Sequence, residues 1–365
     1  MALTAGIVGL PNVGKSTLFN AITKAGALAA NYPFATIDPN VGIVEVPDSR
    51  LDKLTEMVQP KKTIPTTFEF TDIAGIVKGA SKGEGLGNKF LSHIREVDAI
   101  CQVVRAFDDD NVTHVSGRVN PVDDIEVINM ELVLADLESV EKRLPKAEKM
   151  AKQKDKDAVN EARILARIKD ALEEGNPVRS LEFTDEDQKF VNQAQLLTSK
   201  QMLYIANVGE DEIGDEDNEK VKAIREYASQ EDSEVIVISA KIEEEIAVLD
   251  DEDKEMFLED LGIEEPGLDR LIRTTYDLLG LATYFTAGVQ EVRAWTFITG
   301  MTAPQCAGII HTDFERGFIR AEVTSYDDYV AFGGENGAKE AGKQRLEGKE
   351  YIMKDGDVVH FRFNV

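Results

Sequence analysis

One stretch near the N-terminus has the residue types and the spacing needed to bind phosphate. It runs from Gly9 to Thr17, reads GLPNVGKST, and fits the pattern G-x-x-x-x-G-K-[ST] in every fixed position. Glycines in this loop let the backbone curl, so that successive N–H groups point into one concavity. The groups predicted to line that concavity belong to Asn12, Val13, Gly14, Lys15, Ser16 and Thr17. Lys15 would neutralise the β- and γ-phosphates, and the Ser16 hydroxyl would ligate Mg²⁺.

Two later segments add candidate metal and phosphate contacts. Thr36 lies in the loop-like stretch AANYPFATIDPN, where switch-type hydrolases place a threonine that ligates Mg²⁺. Asp72 opens the pattern D-x-x-G at the end of a predicted strand, so we expect it to hold the Mg²⁺ shell and the Gly75 N–H to contact the γ-phosphate. Small GTPases carry a water-orienting glutamine next, but here the residue is the aliphatic Ile76. Either hydrolysis is therefore slow until a partner completes the site, or another group orients the water.

A histidine is the preferred candidate for that other group. His114 follows the predicted strand Ala99 to Val104, in a polar loop at the edge where open α/β sheets place their chemistry. His93, on the helix predicted after the switch, is the second choice. A surface or structural role for His114 is the alternative, because the sequence does not show its geometry.

The nucleotide base is predicted to bind at Asn207 to Glu210, which reads NVGE after an apolar strand. GTPases carry N-K-x-D at this place, and the aspartate accepts hydrogen bonds from guanine. Val208 lacks the lysine stem, and Glu210 is one methylene longer than aspartate, so the guanine bonds should be misplaced. A site that no longer binds guanine preferentially can accept adenine. Ser239 and Ala240, in a weak S-A-K pattern after the next strand, are predicted to line the pocket through backbone groups.

The chain between the loop of His114 and the strand before Asn207 is predicted to be helical. Apolar residues recur every three or four positions over about Ile125 to Lys200, which indicates a helical hairpin, with breaks predicted at Pro145 and at the turn Glu174 to Pro177. Lys142 to Lys156 carries seven basic residues against two acidic ones. Either a solvated helix tip or a contact with RNA phosphates would explain this patch.

Two further segments complete the chain. Glu243 to Asp260 carries ten acidic residues and one basic residue and is predicted to be a solvated pair of helices. An amphipathic helix, about Gly267 to Leu279, follows it. The remaining residues alternate between short strands and turns, with a helix near Pro304 to Ile310, and indicate a small α+β domain. Because it offers no catalytic constellation, we expect it to be a binding module.

Composition limits the classes of protein to which this chain can belong. Its 365 residues are 42% hydrophobic and 30% charged, which is ordinary for a chain of two or three domains. The net charge of −27 counts against DNA as a partner and against indiscriminate nucleic-acid binding. Two distant cysteines indicate neither a zinc cluster nor a disulfide framework. We expect no membrane partner and a cytoplasmic location, because no apolar run could span a bilayer and no signal peptide is evident.

Taken together, the quoted motifs resemble one family over essentially the full chain. The phosphate loop, AANYPFATIDPN, DIAGIVKGASKGEGLGN, NVGE and the C-terminal run are similar to the Obg-like ATPases of the YchF subfamily. The resemblance implies a P-loop domain of the α/β class with a mostly parallel sheet over residues 1–279. It also implies a coiled-coil insertion over 125–200 and a TGS domain of β-grasp type over 281–365.

The same resemblance implies an activity, partners and residue roles. It implies ATP hydrolysis preferred over GTP hydrolysis, with Mg²⁺ held by Ser16 and Thr36, and association with the ribosome. The large subunit is the expected partner, and ribosomal RNA is the expected contact for the basic hairpin. His114 stands where the family has a histidine proposed to support hydrolysis. Asn12 matches the asparagine that ligates K⁺ in potassium-stimulated relatives.

Two alternatives stay open on the residues alone. A GTPase of the Obg type would keep every phosphate contact but would need Asn207 and Glu210 to bind guanine. A regulatory binding protein would hold nucleotide with negligible turnover, which Ile76 would permit.

Overall fold

The structure is a computed structural model, and it describes residues 3–29, 40–74, 86–114, 117–153, 155–214 and 217–364. The strands are β1 (Thr4–Gly9), β2 (Val41–Glu45), β3 (Thr63–Ile64), β4 (Thr67–Asp72), β5 (Ala99–Arg105), β6 (Gln201–Asn207), β7 (Glu234–Ile238), β8 (Leu281–Ala287), β9 (Val292–Ile298), β10 (Phe318–Ser325), β11 (Arg345–Glu347) and β12 (Asp357–Phe363). The helices are α1 (Lys15–Ala29), α2 (Ser49–Val58), α3 (Leu86–Glu96), α4 (Pro121–Ala151), α5 (Lys156–Glu173), α6 (Asp185–Ala194), α7 (Glu219–Gln230), α8 (Ala240–Ile246), α9 (Asp251–Leu261), α10 (Gly267–Leu278), α11 (Ala303–Ile310), α12 (Thr312–Arg316), α13 (Tyr326–Ala331) and α14 (Glu335–Glu340).

Six strands form the first sheet, in the order β2-β4-β1-β5-β6-β7. The pairs β1–β4, β1–β5, β5–β6 and β6–β7 are parallel. Every residue of β5 is buried, as expected for a parallel strand covered by helices on both faces. Because parallel strands end at the same edge, the loops after β1, β4, β5, β6 and β7 all lie there. The predicted mostly parallel α/β sheet is confirmed.

The second sheet has the order β11-β10-β12-β8-β9-β3 and mixes parallel and antiparallel pairs. One apolar cluster joins it to α11 through Tyr284, Cys306, Ala307 and Phe361. A second cluster, which includes Leu54 of α2 and Phe285, joins it to α2 and α13. The predicted C-terminal α+β domain is confirmed.

The chain divides into two compact units at points that differ from the predicted domain boundary. One unit holds Met1–Val44 and Glu69–Leu271, and the other holds Glu45–Phe68 and Ile272–Val365. The early segment belongs to the second unit because β3 pairs with β9 and Leu51 and Leu54 pack among its buried residues. Contacts between residues this far apart in sequence leave no local signal.

The predicted helical hairpin is present as α4 and α5. Their shared apolar cluster includes Val140, Ala147, Ile164 and Ile168. The predicted break at Pro145 is wrong, since α4 continues through it to Ala151. Proline removes one backbone hydrogen bond, but buried apolar side chains on both sides of it hold the helix against α5.

One buried carboxylate holds the end of the helical region to the start of the next strand of the first sheet. Asp136 of α4 is fully buried and accepts hydrogen bonds from the Leu197 N–H at 2.9 Å, the Thr198 N–H at 2.8 Å and the Thr198 hydroxyl at 2.7 Å. Burial raises the pKa of Asp136, while these three donors favour its ionised form. The carboxylate therefore fixes the short 3₁₀ turn Leu197–Ser199 directly before β6.

The predicted acidic helix pair is present as α8 and α9, but it is not fully solvated. Glu243 is buried and accepts hydrogen bonds from the N–H groups of Gly267 at 2.8 Å and Leu268 at 3.0 Å. These are unsatisfied donors in the first turn of α10, so the carboxylate caps that helix. The prediction is wrong for Glu243 because composition does not show which acidic residue meets a helix terminus.

Among the described helices, none has a run of apolar residues long enough to cross a membrane.

Candidate nucleotide-binding site

The phosphate loop joins β1 to α1 in a conformation that depends on its residue types. Gly14 has φ +95° and Asn12 has φ +65°, both in the left-handed region that most side chains avoid. A Cβ atom on Gly14 would lie 2.1 Å from Nδ2 of Asn207. Helix α1 begins at Lys15, so its N-terminal N–H groups and positive dipole end lie at the loop. The loop is therefore shaped to hold an anion.

The amide of Asn207 ties this loop to a distant one. Its Nδ2 donates to the Val13 carbonyl at 2.9 Å, and its Oδ1 accepts from the Ala240 N–H at 2.9 Å. Asn207 is buried, so both bonds are shielded from water. Asn207 thus holds the loops after β1 and β7 together through protein contacts. Sequence reasoning predicted Asn207 as part of the base pocket but missed this bridging role.

Two of the predicted phosphate and metal residues meet directly. The Lys15 ammonium contacts the Asp72 carboxylate, and β1 and β4 are paired in register at Ile7 and Asp72. The side chain of Lys15 is 11% exposed and that of Asp72 is 27% exposed, so the pair is open on one side. Ser16 is exposed at the start of α1. Predicted residues Thr36, Gly75 and Ile76 lie outside the described residues.

An arginine that the sequence reasoning missed shapes the loop after β5. Arg105 is only 1% exposed, and its guanidinium donates to the carbonyls of Phe107 at 3.2 Å, Asp109 at 3.2 Å and Val112 at 2.8 Å. The same group stacks over the Phe107 ring, 4.5 Å from its centroid. One buried cation therefore satisfies three carbonyls of the loop. The available signal was an arginine at the end of the otherwise uncharged strand AICQVVR.

This loop places His114 beside the phosphate loop, but in a buried position. The Asn12 amide donates to the carbonyl of Thr113 at 3.0 Å, which joins the two loops. His114 is 6% exposed, and its Nε2 lies 2.8 Å from Oδ2 of Asp124. Burial raises the pKa of Asp124, and the His114 bond and the charge of Arg105 oppose that rise. Sequence reasoning named His114 but missed Asp124.

The second histidine candidate lies elsewhere. His93 is in the last turn of α3, which leads into the start of β5. Between α3 and β5, Asp98 is hydrogen-bonded to Thr4, the first residue of β1. The phosphate loop follows the other end of β1. The topology therefore brings His114 to the site and leaves His93 at the other edge.

The predicted base pocket contains a paired carboxylate. Val208 is 4% exposed, and its N–H donates to the Ile238 carbonyl at 2.9 Å. Glu210 is exposed and forms an ion pair with Lys241 at 2.5 Å, which raises the pKa of Lys241. Ser239 and Ala240 are both buried between the ends of β7 and α8. The carboxylate at the position that binds guanine in a GTPase is therefore paired with a lysine in the first turn of α8.

The donor set fits a metal that arrives with a nucleotide. In the parts of the chain that the structure describes, no group of three or more histidine, cysteine, aspartate or glutamate side chains could hold an ion. Mg²⁺ in phosphoryl-transfer sites takes one or two protein ligands and fills the rest with phosphate oxygens and water. A hydroxyl from Ser16 and a carboxylate from Asp72 are oxygen ligands of the required kind.

Comparison with known proteins gives matches over both units. Residues 4–136 match the family described as 50S ribosome-binding GTPase, and residues 281–364 match the C-terminal family of YchF GTPases, described as a protein of unknown function. The chain is 73% identical to the ribosome-binding ATPase YchF of Bacillus subtilis, with all of both chains covered. It is 58% identical to the protein of that name from Escherichia coli O157:H7, again over both full lengths.

A solved structure agrees with the fold. The YchF GTPase of Schizosaccharomyces pombe superposes with a TM-score of 0.91 at 41% identity, over 99% of this chain and 97% of that one. The bacterial relatives are named ATPases and the yeast protein a GTPase, so these names disagree on the nucleotide.

The bridging role of Asn207 predicts how its loss affects nucleotide binding. In Asn207→Ala the phosphate loop loses its bond from the amide and the Ala240 N–H loses its acceptor, so affinity for ATP and GTP analogues should fall by about tenfold or more. Because both lost bonds join protein groups to each other, the ratio of the two affinities should stay unchanged. Calorimetric titration with non-hydrolysable analogues measures both. A change in the ratio with little loss of affinity would instead make Asn207 a direct base contact.

Proposed function

Since this chain belongs to the YchF family, we propose that it is a Mg²⁺-dependent P-loop ATPase that binds the ribosome and acts as a nucleotide-controlled switch in translation or stress response. The observation that carries the proposal is the phosphate loop, held open by Asn207 with Lys15 and Asp72 at its mouth. The family names support ATP hydrolysis and ribosome binding.

The residues of the loop would act by positioning and charge. Backbone N–H groups from Asn12 to Thr17 would hold the phosphates, and Lys15 would leave Asp72 to neutralise the transferred phosphoryl group. Ser16 and Asp72, with Thr36, would hold Mg²⁺. When bound, the metal withdraws charge from the phosphate oxygens. Gly75 would contact the γ-phosphate, and His114 would support the attack of water in place of the missing glutamine.

Hydrolysis depends on the charge of Lys15, so Lys15→Ala should lower the ATPase kcat by about 100-fold or more. Phosphate release is measured with Mg²⁺ and K⁺, with and without ribosomes. Lys24→Ala is the matched control, because Lys24 lies on the same helix and pairs with Glu244 at the surface. Wild-type protein that turns over no faster than Lys15→Ala in either condition would support the regulatory binding protein instead.

Asn12 is the proposed ligand of K⁺. Its Nδ2 is bound to the Thr113 carbonyl, which leaves Oδ1 as the amide atom that could ligate a cation. Replacing K⁺ by Na⁺ in the same assay tests this role.

We propose that ATP is favoured over GTP because the base pocket lacks the groups that bind guanine preferentially. Lys241 neutralises the Glu210 carboxylate, so accepting hydrogen bonds from guanine would require breaking that ion pair. The buried Val208 presents no lysine stem to the base. A GTPase is the second candidate, because the solved yeast relative carries that name.

Restoring the GTPase motif should therefore reverse the preference. Val208→Lys with Glu210→Asp should raise the affinity for a GTP analogue relative to an ATP analogue by about tenfold or more. Parallel titrations of the purified variant measure the ratio. Glu219→Asp makes the same shortening at an exposed site on α7 and should leave the ratio unchanged. Wild-type protein that already prefers the GTP analogue would favour the GTPase.

The tip of the helical hairpin is the proposed ribosome contact. We define the basic tip as the described cations Lys142, Arg143, Lys146, Lys149, Lys152 and Lys156. Arg143 pairs with Glu161 at 2.7 Å and Lys142 pairs with Glu138. Within the described parts of the chain, the other four cations of the basic tip are exposed and form no ion pair with an acidic side chain. Four exposed cations in a chain of net charge −27 form a local site for RNA phosphates.

The family description supports the large subunit as the partner, with ribosomal RNA at the basic tip. A ribosomal partner also implies that the protein acts in the cytoplasm.

Reversing the charge of the basic tip should weaken this contact. Replacing Lys146, Lys149 and Lys152 by Glu should reduce cosedimentation with ribosomes by about tenfold or more and flatten its salt dependence, with nucleotide affinity unchanged. The matched control replaces the exposed Lys53, Lys222 and Lys349 by Glu, which changes the net charge equally. If both triple variants bind alike, net charge and not the basic tip governs the association.

A further inference from the structure

Asp124 is a buried acid that contacts His114, in the loop that is joined to the phosphate loop. It lies in the first turn of α4, is 3% exposed, and has its Oδ2 2.8 Å from Nε2 of His114. Burying a carboxylate is costly unless a charged or polar partner compensates. The N-terminal end of α4 and the His114 ring favour the ionised carboxylate, while its burial opposes it. The contact with His114 therefore compensates part of the cost of burying this acid.

Both partners of this contact are held rigidly. On one side, Arg105 binds three carbonyls of the loop that precedes His114. On the other side, the Asn120 side chain caps α4 by accepting from the N–H groups of Val122 at 3.2 Å and Asp123 at 3.5 Å. Hydrogen bonds therefore hold the main chain on each side of the contact, which favours a preorganised imidazole and carboxylate.

The contact is also linked to the phosphate loop through one neighbouring residue. The residue before His114 accepts a hydrogen bond from Asn12 of the phosphate loop. A histidine in such a place, oriented by a buried carboxylate, is the arrangement that fixes which ring nitrogen carries the proton. With the carboxylate accepting from Nε2–H, the lone pair of the neutral ring is on Nδ1.

We propose that Asp124 is a positioning residue that fixes the tautomer and orientation of His114 for ATP hydrolysis. This inference rests on the proposed role of His114 and adds the residue through which that role is set. Asp124 itself contacts neither the phosphate loop nor the metal ligands among the described contacts.

Kinetics of the full-length protein test the proposal. Asp124→Asn keeps the shape of the side chain but can donate to Nε2, which favours the wrong tautomer. The ATPase kcat should fall by about tenfold or more, with nucleotide affinity unchanged. Asp123→Asn is the matched control, because Asp123 lies in the same helical turn and pairs with Arg118 at the surface. It should behave as the wild type.

A double-mutant cycle separates positioning from a merely structural effect. If Asp124 acts through His114, then adding Asp124→Asn to His114→Ala should lower kcat no further. Additive losses would overturn the proposal. A wild-type rate in Asp124→Asn beside a low rate in His114→Ala would overturn it while leaving the role of His114 intact. A wild-type rate in His114→Ala would remove both.

A measurement on the wild-type chain covers the case in which Asp124→Asn does not fold. Nitrogen NMR of the histidine rings reports which nitrogen carries the proton. The expected result is a protonated Nε2 on His114, hydrogen-bonded to the carboxylate. A ring protonated only on Nδ1 would overturn the proposal.

Discussion

The hydrogen bonds of one buried amide connect the parts of the nucleotide site. Asn207 joins the Val13 carbonyl to the Ala240 N–H, and a Cβ on Gly14 would collide with it. The glycine and the asparagine therefore depend on each other, because the loop can approach the amide only where no side chain intervenes. A parallel sheet makes this possible, since β1, β6 and β7 end at the same edge. This contact joins the phosphate loop to the loop after β7.

Helix α4 extends from the nucleotide site to the basic tip. It has 31 residues and is about 46 Å long. Polar residues hold it at three positions along its axis. Near its N-terminus Asp124 binds His114, and further along Asp136 binds Thr198. Between them, Asn129 donates to the hydroxyls of Tyr204 at 3.2 Å and Tyr227 at 3.1 Å. These bonds are directional and specify one orientation of the helix.

Charge is distributed to favour one contact over many. A net charge of −27 repels polyanions at long range, while the exposed lysines of the basic tip attract them within about 10 Å at 0.1 M salt. This distribution of charge is the physical basis for the proposed contact at the basic tip. The capping of α10 by Glu243 shows that part of the acidic charge serves the fold instead.

The sequence by itself determined the features that depend on local spacing. The phosphate loop, the alternation of strands and helices, the α4–α5 hairpin and the strands of the C-terminal domain all follow from motifs or periodicity within a few residues. The tertiary structure alone decided which groups are buried and which partners they meet. Arg105 is buried against the carbonyls of the loop after β5, and Asp124 binds His114. Asn207 bridges two loops, α2 joins the second unit, and α4 continues through Pro145. Each of these depends on burial and on neighbours brought together by the folded chain, and local residue patterns do not encode such contacts.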